Sequence, residues 1–255
     1  MKFIVNPTYK ASREVFLQFI KNFKTSGTMF ADGQRNKIKL FEHHNKTYNI
    51  KAFKIPNIIN QVVYKYIRKS KAARSYEYAT LLLKKGIGTP QPIAYLENDT
   101  IFGVKDSYYI SEQMNCDLTY RELVENPDWE DHENILNQFT AFCFDLHEKG
   151  IEFKDHSPGN TLIKKEGNRM YSFYLVDLNR MDFHEHMDFD TRMRNMSRLT
   201  PKKEMVEVMS RAYAKFYKEQ NFEHIYDKMW FYTFTFQEQF QRKQKMKKKI
   251  KFWKN

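Results

Sequence analysis

The chain has 255 residues, 41% of them hydrophobic and 16% aromatic, and a formal net charge of +12. That length suits one compact unit or two closely packed lobes, the apolar content excludes disorder for the bulk, and no run approaches the ~18 apolar residues a membrane span requires. Met1-Lys2-Phe3-Ile4-Val5 is too short for a signal peptide, so a cytosolic protein is expected, and the surplus of positive charge asks for an acidic partner: nucleic acid, anionic lipid or a phosphorylated substrate. Cys116 and Cys143, in apolar surroundings, read as buried thiols rather than a disulfide or a metal site. Neither His43-His44 nor the pair His184 and His186 has the spacing of two ligands on one helix face.

Residues 8 to 24 predict an amphipathic helix with Phe16, Ile20 and Phe23 on one side. Stretches around Met29-Phe30, Ile38-Leu40 and Tyr48-Ile50-Phe53 read as strands, with turns at Ala31-Asp32-Gly33 and His44-Asn45-Lys46. Gly27 and Gly33 do not make a glycine-rich phosphate loop. Asn49 to Lys54 is a strand whose Lys51 and Lys54 lie on opposite faces, so at most one of them points into a cleft and either is otherwise a solvated edge lysine. A helix from about Lys71 to Lys85 buries Ala72, Tyr76, Ala79 and Leu83, and Glu77 beside that stripe can pair with a strand lysine and hold it against phosphates. Gly86 and Gly88-Thr89-Pro90 end the helix. Ile93-Ala94-Tyr95-Leu96 and Tyr108-Tyr109-Ile110-Ser111 complete a small sheet, and Glu112-Gln113-Met114 reads as a hinge whose backbone meets adenine.

From Asn134 to Lys149 the residues Ile135, Leu136, Phe139, Phe142, Cys143 and Leu146 share one helix face, closed by Gly150. Ile151 and Phe153 anchor a short strand, from which Asp155 emerges on the loop Asp155-His156-Ser157-Pro158-Gly159-Asn160. Two strands around Glu166-Gly167-Asn168 then bring Asp177 back toward Asn160. An Asp, an Asn five positions on and a second Asp after the next apolar hairpin are what phosphoryl transfer from Mg-ATP requires. Asp155 orients or deprotonates a hydroxyl, and Asn160 and Asp177 offer hard oxygen ligands to magnesium. Asp155 and Asn160 alone would equally describe a turn held by side-chain hydrogen bonds; the ordered flanks favour the chemistry. Further on, Arg180, Arg192, Arg194 and Arg198 are either contacts for an anionic acceptor or solvated. Glu204 to Lys218 and Trp230 to Phe240 predict two helices, the second with its aromatic residues in the core. Gln241 to Asn255 carries eight basic residues and no acidic one.

Taken together, Ile50 to Lys54, Ser70 to Glu77, Gly86 to Ala94, Asp155 to Asn160 and Val176-Asp177-Leu178-Asn179-Arg180 resemble the bacterial lipopolysaccharide kinase family, which contains the Kdo kinases and core heptose kinases. The resemblance implies an α+β, bilobal protein-kinase-like fold: an N-lobe over 1–113 with a small antiparallel sheet and one main helix, a mainly helical C-lobe over 114–240, and a basic tail over 241–255. It implies Lys51 rather than Lys54 as the phosphate-binding lysine, Glu77 as its partner, Glu112-Gln113-Met114 at the nucleotide, Asp155 as catalytic residue, and Asn160 and Asp177 as metal ligands. Phe153-Lys154 stands where the family's relatives carry a histidine-containing lead-in, and Asp177 is followed by Leu-Asn. The expected activity is transfer of phosphate from ATP with Mg2+ to a sugar hydroxyl of a lipid-linked glycan at the cytoplasmic face of the inner membrane, reached through the basic tail, with no nucleic acid partner. A membrane-docking pseudokinase without turnover, or an atypical protein or small-molecule kinase, is the alternative.

Overall fold

The computed structural model describes residues 1–33, 36–53, 69–100 and 103–252. Lys54, the second strand lysine, lies outside the described residues. The chain divides into two compact units, Met1–Asn115 with Leu175–Arg180, and Cys116–Tyr174 with Met181–Asn255.

The first unit is built on a six-stranded antiparallel sheet of β1 (Lys2–Val5), β2 (Thr28–Asp32), β3 (Asn36–His43), β4 (Lys46–Phe53), β5 (Pro92–Thr100) and β6 (Gly103–Glu112), in the order β1-β5-β6-β4-β3-β2. Side chains alternate between sheet faces, and β4 shows the consequence. Tyr48 and Ile50 point to one face, where they meet Phe16, Leu17, Ile20 and Phe23 from and just beyond α1 (Arg13–Lys21). Lys51 and Phe53 point in opposite senses to Ile50 and Ala52, so Phe53 packs with Ala72, Ala73 and Tyr95 under α2 (Lys71–Lys84). The predicted first helix is split: Pro7–Ser12 winds as a 3-10 helix before α1 begins. In α2 the buried stripe runs through Ala72, Ser75, Ala79 and Leu82, so the fully buried leucine is Leu82 and not Leu83.

In the second unit, α4 (His132–Glu148) is preceded by α3 (Tyr120–Glu125) and followed by α5 (Phe189–Met196), α6 (Lys203–Ala214) and α7 (Phe222–Phe252). Ile135, Leu136, Phe139 and Cys143 of α4 share one core with Met193 and Met196, with Met205, Val206, Met209 and Tyr213, and with Ile225 and Met229. Two short ladders flank them, β7 (Leu118–Thr119) with β9 (Thr161–Gly167) and β10 (Met170–Leu175), and β8 (Ile151–Phe153) with β11 (Met181–Phe183). Gly150 ends α4 at φ 69°, and a Cβ there would sit 1.9 Å from the His184 carbonyl oxygen, so only glycine lets β11 approach. The expectation that the aromatic residues of 230–240 are core holds for Trp230 and Tyr232, which pack partly buried against it, and is corrected for Phe231, Phe234 and Phe240, which are exposed by 58%, 51% and 49%. One helix face, carrying Ile225, Met229 and Thr233, fills the contact, and among the described residues no second layer covers the exposed phenylalanines. Every described side chain from Glu238 to Lys248 is exposed, and α7 continues as a helix through the basic stretch to Phe252. Cys143 is buried as expected, whereas Cys116, on the extended stretch after β6, is exposed.

Candidate active site

In the first unit the decisive contact is an ion pair between Lys51 Nζ and Asp177 Oδ1 at 2.7 Å. Lys51 is placed by its register in β4, opposite Ile38 and Tyr109, and its side chain is 13% exposed. Asp177 arrives on the segment Leu175–Arg180, which is tied down at both ends. The Leu175 amide donates to the Gly88 carbonyl at 2.9 Å and its carbonyl accepts from Thr89 Oγ1 at 2.8 Å. The buried Arg74 of α2 donates to the Asn179 carbonyl at 2.7 Å. Between these anchors Asp177 is held at φ 59°, a left-handed conformation that costs a non-glycine residue roughly 1–2 kcal/mol. Asn179 Nδ2 donates to the same Asp177 oxygen, at 2.7 Å. Both observed partners therefore engage Oδ1.

Glu77 is not the partner of Lys51 here. Its carboxylate takes Lys69 Nζ at 2.8 Å, a residue just before the Ser70 cap of α2, while Lys51 is engaged by Asp177. At the predicted hinge, the Glu112 amide donates to the Gln91 carbonyl and the Gln113 amide to the Thr47 carbonyl, at 2.9 and 2.8 Å. The Glu112 carboxylate is bound by Tyr9 and Lys46 at 2.8 and 2.7 Å, and Gln113 reaches Asn49 and the Met114 carbonyl. Their side chains thus brace the end of the sheet.

In the second unit, β8 delivers the loop that carries Asp155. His156, with no exposed surface, packs between the rings of Phe139 and Phe153 at centroid distances of 5.8 and 5.6 Å. Among the described residues neither of its ring nitrogens makes a hydrogen bond. The nearby Asn195 amide is committed to the Phe153 carbonyl at 3.0 Å and to His147 at 3.3 Å. Burial pushes the His156 pKa down to about 4 and that of His147 to about 3, so both are neutral at pH 7. With His156 turned inward, its neighbour Asp155 remains at the surface, its side chain 23% exposed. Asn160 ends the 3-10 turn Pro158–Asn160 and donates Nδ2 to the Asp155 carbonyl at 2.8 Å, a contact that leaves its Oδ1 as an oxygen donor. Arg198 Nη1 bonds the Lys154 carbonyl at 2.7 Å and Asp155 Oδ1 at 3.2 Å.

Of the arginines after Asp177, Arg192 is not available to an acceptor: it is 3% exposed, pairs with Glu148 at 2.5 Å and donates to the Met187 carbonyl. Arg194 lies over the Tyr232 ring at 5.1 Å. The bracing roles of Arg198 and His156 went unseen in the sequence, where neither has a motif of its own.

The sequence model of the lipopolysaccharide kinase (Kdo/WaaP) family matches residues 24–219. The chain belongs to that family. Its members are kinases, which makes this chain a kinase-family phosphotransferase. Among solved structures, "WaaP in complex with acyl carrier protein" is similar over 88% of this chain and 92% of that one, with a TM-score of 0.60 at 15% identity. At that identity the likeness establishes the fold, an α+β kinase-like architecture with an antiparallel sheet unit and a mainly helical unit. No curated protein sequence matches the chain. Among the described residues no helix is long and apolar enough to cross a membrane.

Proposed function

We propose that this kinase-family chain transfers the γ-phosphoryl group of ATP to a sugar hydroxyl of a lipid-linked glycan, the Kdo or heptose inner core of lipopolysaccharide. The observation that carries the reading is Asp177, a non-glycine residue kept at φ 59° with its carboxylate fixed by Lys51 and Asn179. Such strain persists only where the surroundings enforce it and concentrates at sites that bind or react. In this reading Lys51 takes phosphate oxygens in exchange for its present partner, Glu77 supports it, and the backbone of Glu112-Gln113-Met114 meets adenine with groups other than the Glu112 and Gln113 amides. Asp155 accepts the proton of the attacking hydroxyl as its oxygen bonds to phosphorus and the bond to the β-phosphate oxygen breaks, releasing ADP.

Asn160 Oδ1 and the Asp177 carboxylate are hard oxygen donors, and magnesium characteristically binds through one or two such groups plus substrate phosphates, so the residues fit that ion. Among the described residues no cluster of three or more His, Cys, Asp or Glu side chains forms a site independent of a nucleotide. When bound, Mg2+ would neutralise charge on the phosphates. The chain's residues orient the reactants and hold the proton.

The exposed, cationic end of α7 supports a partner at the surface of the inner membrane. Arg242, Lys243, Lys245, Lys247 and Lys248 are spread around the helix, so adsorption to anionic headgroups would be chiefly electrostatic. The same distribution suits an acidic protein, a second reading favoured by the solved relative's complex with acyl carrier protein. Incubation with Mg-ATP and inner-membrane glycolipid, followed by mass spectrometry, tests the activity: a phosphate added to the glycolipid is expected. ATP binding without transfer to any glycolipid would favour the pseudokinase.

A further inference from the structure

Phosphoryl transfer concentrates negative charge on phosphoryl oxygens, and enzymes meet it with fixed cations and hydrogen-bond donors. The loop from Asp155 to Asn160 supplies no cation: it reads Asp-His-Ser-Pro-Gly-Asn, and His156 is buried and neutral. Lys154, just before it, pairs with Asp182, and Arg198 is engaged by Asp155 and the Lys154 carbonyl.

A guanidinium from another element lies on this loop. Arg121, in the first turn of α3, approaches Gly159 so closely that a Cβ there would stand 2.7 Å from its Nη2, 3.4 Å from Nε and 3.5 Å from Cζ. Gly159 is absent from the positive-φ glycines, so its backbone does not demand a glycine. The arginine does. Arg121 is exposed, and no described residue forms a hydrogen bond or ion pair with it. The adjacent acid, Glu122, is turned away into a capping box with Thr119, its Oε2 accepting from the Thr119 amide at 2.6 Å and from the hydroxyl at 2.9 Å. Among the described residues, a cation without a carboxylate thus rests on the residue next to Asn160, in the space that Gly159 leaves open.

We propose that Arg121 is the cation of this loop, a substrate-contacting residue whose guanidinium binds anionic phosphate or carboxylate oxygens of the reactants. The proposal rests on the kinase reading and adds to it a residue outside the loop motif. Two sources present that chemistry, the γ-phosphoryl group and an acidic group on the acceptor. The planar fork of arginine suits both.

The test is steady-state kinetics of R121A, R121K and G159A beside wild type and D155N. For R121A a loss of kcat/KM of about 10²-fold is expected, the scale of removing one charge-stabilising donor, with an unchanged melting temperature. R121K should recover part of it, because lysine supplies the charge without the fork. G159A should lower activity with the charge intact, by displacing the guanidinium. A fall confined to kcat assigns the contact to the transferring phosphoryl group, and a rise confined to the KM for the acceptor assigns it to the acceptor. R121A within twofold of wild type in every constant would overturn the proposal. If the wild type transfers phosphate to no acceptor, the kinase reading fails separately. Calorimetry with inorganic tripolyphosphate then decides on Arg121: at least fivefold weaker binding by R121A supports it, and equal binding overturns it.

Discussion

Residues 153–160 of one unit and 175–180 of the other are both short segments bearing oxygen side chains, yet packing and uncharged bonds hold most of the first, whereas an ion pair fixes the Asp177 side chain of the second. His156 is sunk between two phenylalanine rings, Asn195 holds the Phe153 carbonyl, and Asn160 holds the Asp155 carbonyl. Asp177 is fixed by Lys51 in a strained backbone state, with Arg74 anchoring the carbonyl two residues on. An apolar socket does not respond to the arrival of an anion, whereas an ion pair exchanges partners when a polyphosphate competes for the lysine. The contrast fits a reaction in which one loop presents a fixed side chain and the other adapts to the nucleotide.

The largest effect is expected at the fixed loop. D155N should keep ATP affinity and lower turnover by roughly 10²- to 10⁴-fold, the range for removing a positioned acid or base. Wild-type turnover in that variant would take Asp155 out of the chemistry. Next comes the exchangeable pair. K51M leaves Asp177 without its cation, and in the proposed reading it also removes a phosphate partner, so ATP affinity measured by calorimetry should fall about tenfold, the scale of one charge-assisted contact at a partly exposed site. Unchanged affinity would mean that Lys51 serves only to hold Asp177.

What the sequence could reveal follows from the range of the forces involved. The helical period of Asn134 to Lys149, the strand alternation that starts from Asn49 and the glycine at 150 are local signals, and they appear in the structure as the helix His132–Glu148, the strand Lys46–Phe53 and a positive-φ Gly150. Strand β1 was missed because four residues carry too little pattern; its pairing of Phe3 with Leu96 joins segments distant in the chain. The same limit hid the partners of Lys51 and Glu77. Composition and spacing place a lysine and a carboxylate in adjacent elements, but Lys69 and Asp177 compete for them, and only coordinates decide which pair closes. Aromatic content misleads at Phe231, Phe234 and Phe240, since a residue type says it can be buried without saying that a second layer exists to bury it. Candidate residues can be named from motif; what holds each of them in place cannot.

The packed loop has its own weakness, to acid. His147 and His156 have folded pKa values lowered to about 3 and about 4 against 6.5, so between about pH 4 and 6.5 the unfolded chain binds more protons than the folded one. Their contribution is complete above pH 6.5 and is lost as pH falls through that window. The limiting slope is about 1.4 kcal/mol per pH unit for each histidine. Urea midpoints measured from pH 7 to 5 should therefore decline, and H156F, which suits the aromatic socket, should flatten the decline by up to one histidine's share. A wild-type midpoint flat across that range would show that these rings gain protons without unfolding.

The smallest effect sharpens the comparison most, because Arg198 brings charge onto the Asp155 side chain of the otherwise packed loop. Its guanidinium spans the Lys154 carbonyl and the Asp155 carboxylate and lies 5.3 Å from the Phe236 ring centroid, with the side chain 34% exposed. Water screens a pair this open, so a contribution of about 1 kcal/mol is reasonable, equivalent to roughly a fivefold change in rate if it orients Asp155 in the transition state. R198A should lower kcat by about that factor and leave the KM for ATP and for the acceptor where they were, while added salt should depress wild-type kcat toward the variant's value. R198K should recover little, since an ammonium cannot reproduce the guanidinium's geometry across a carbonyl and a carboxylate. A rise in the acceptor KM with kcat unchanged would make Arg198 an acceptor contact instead of a brace. Then the first loop too would adapt to its substrate through charge, and the contrast with Asp177 would disappear.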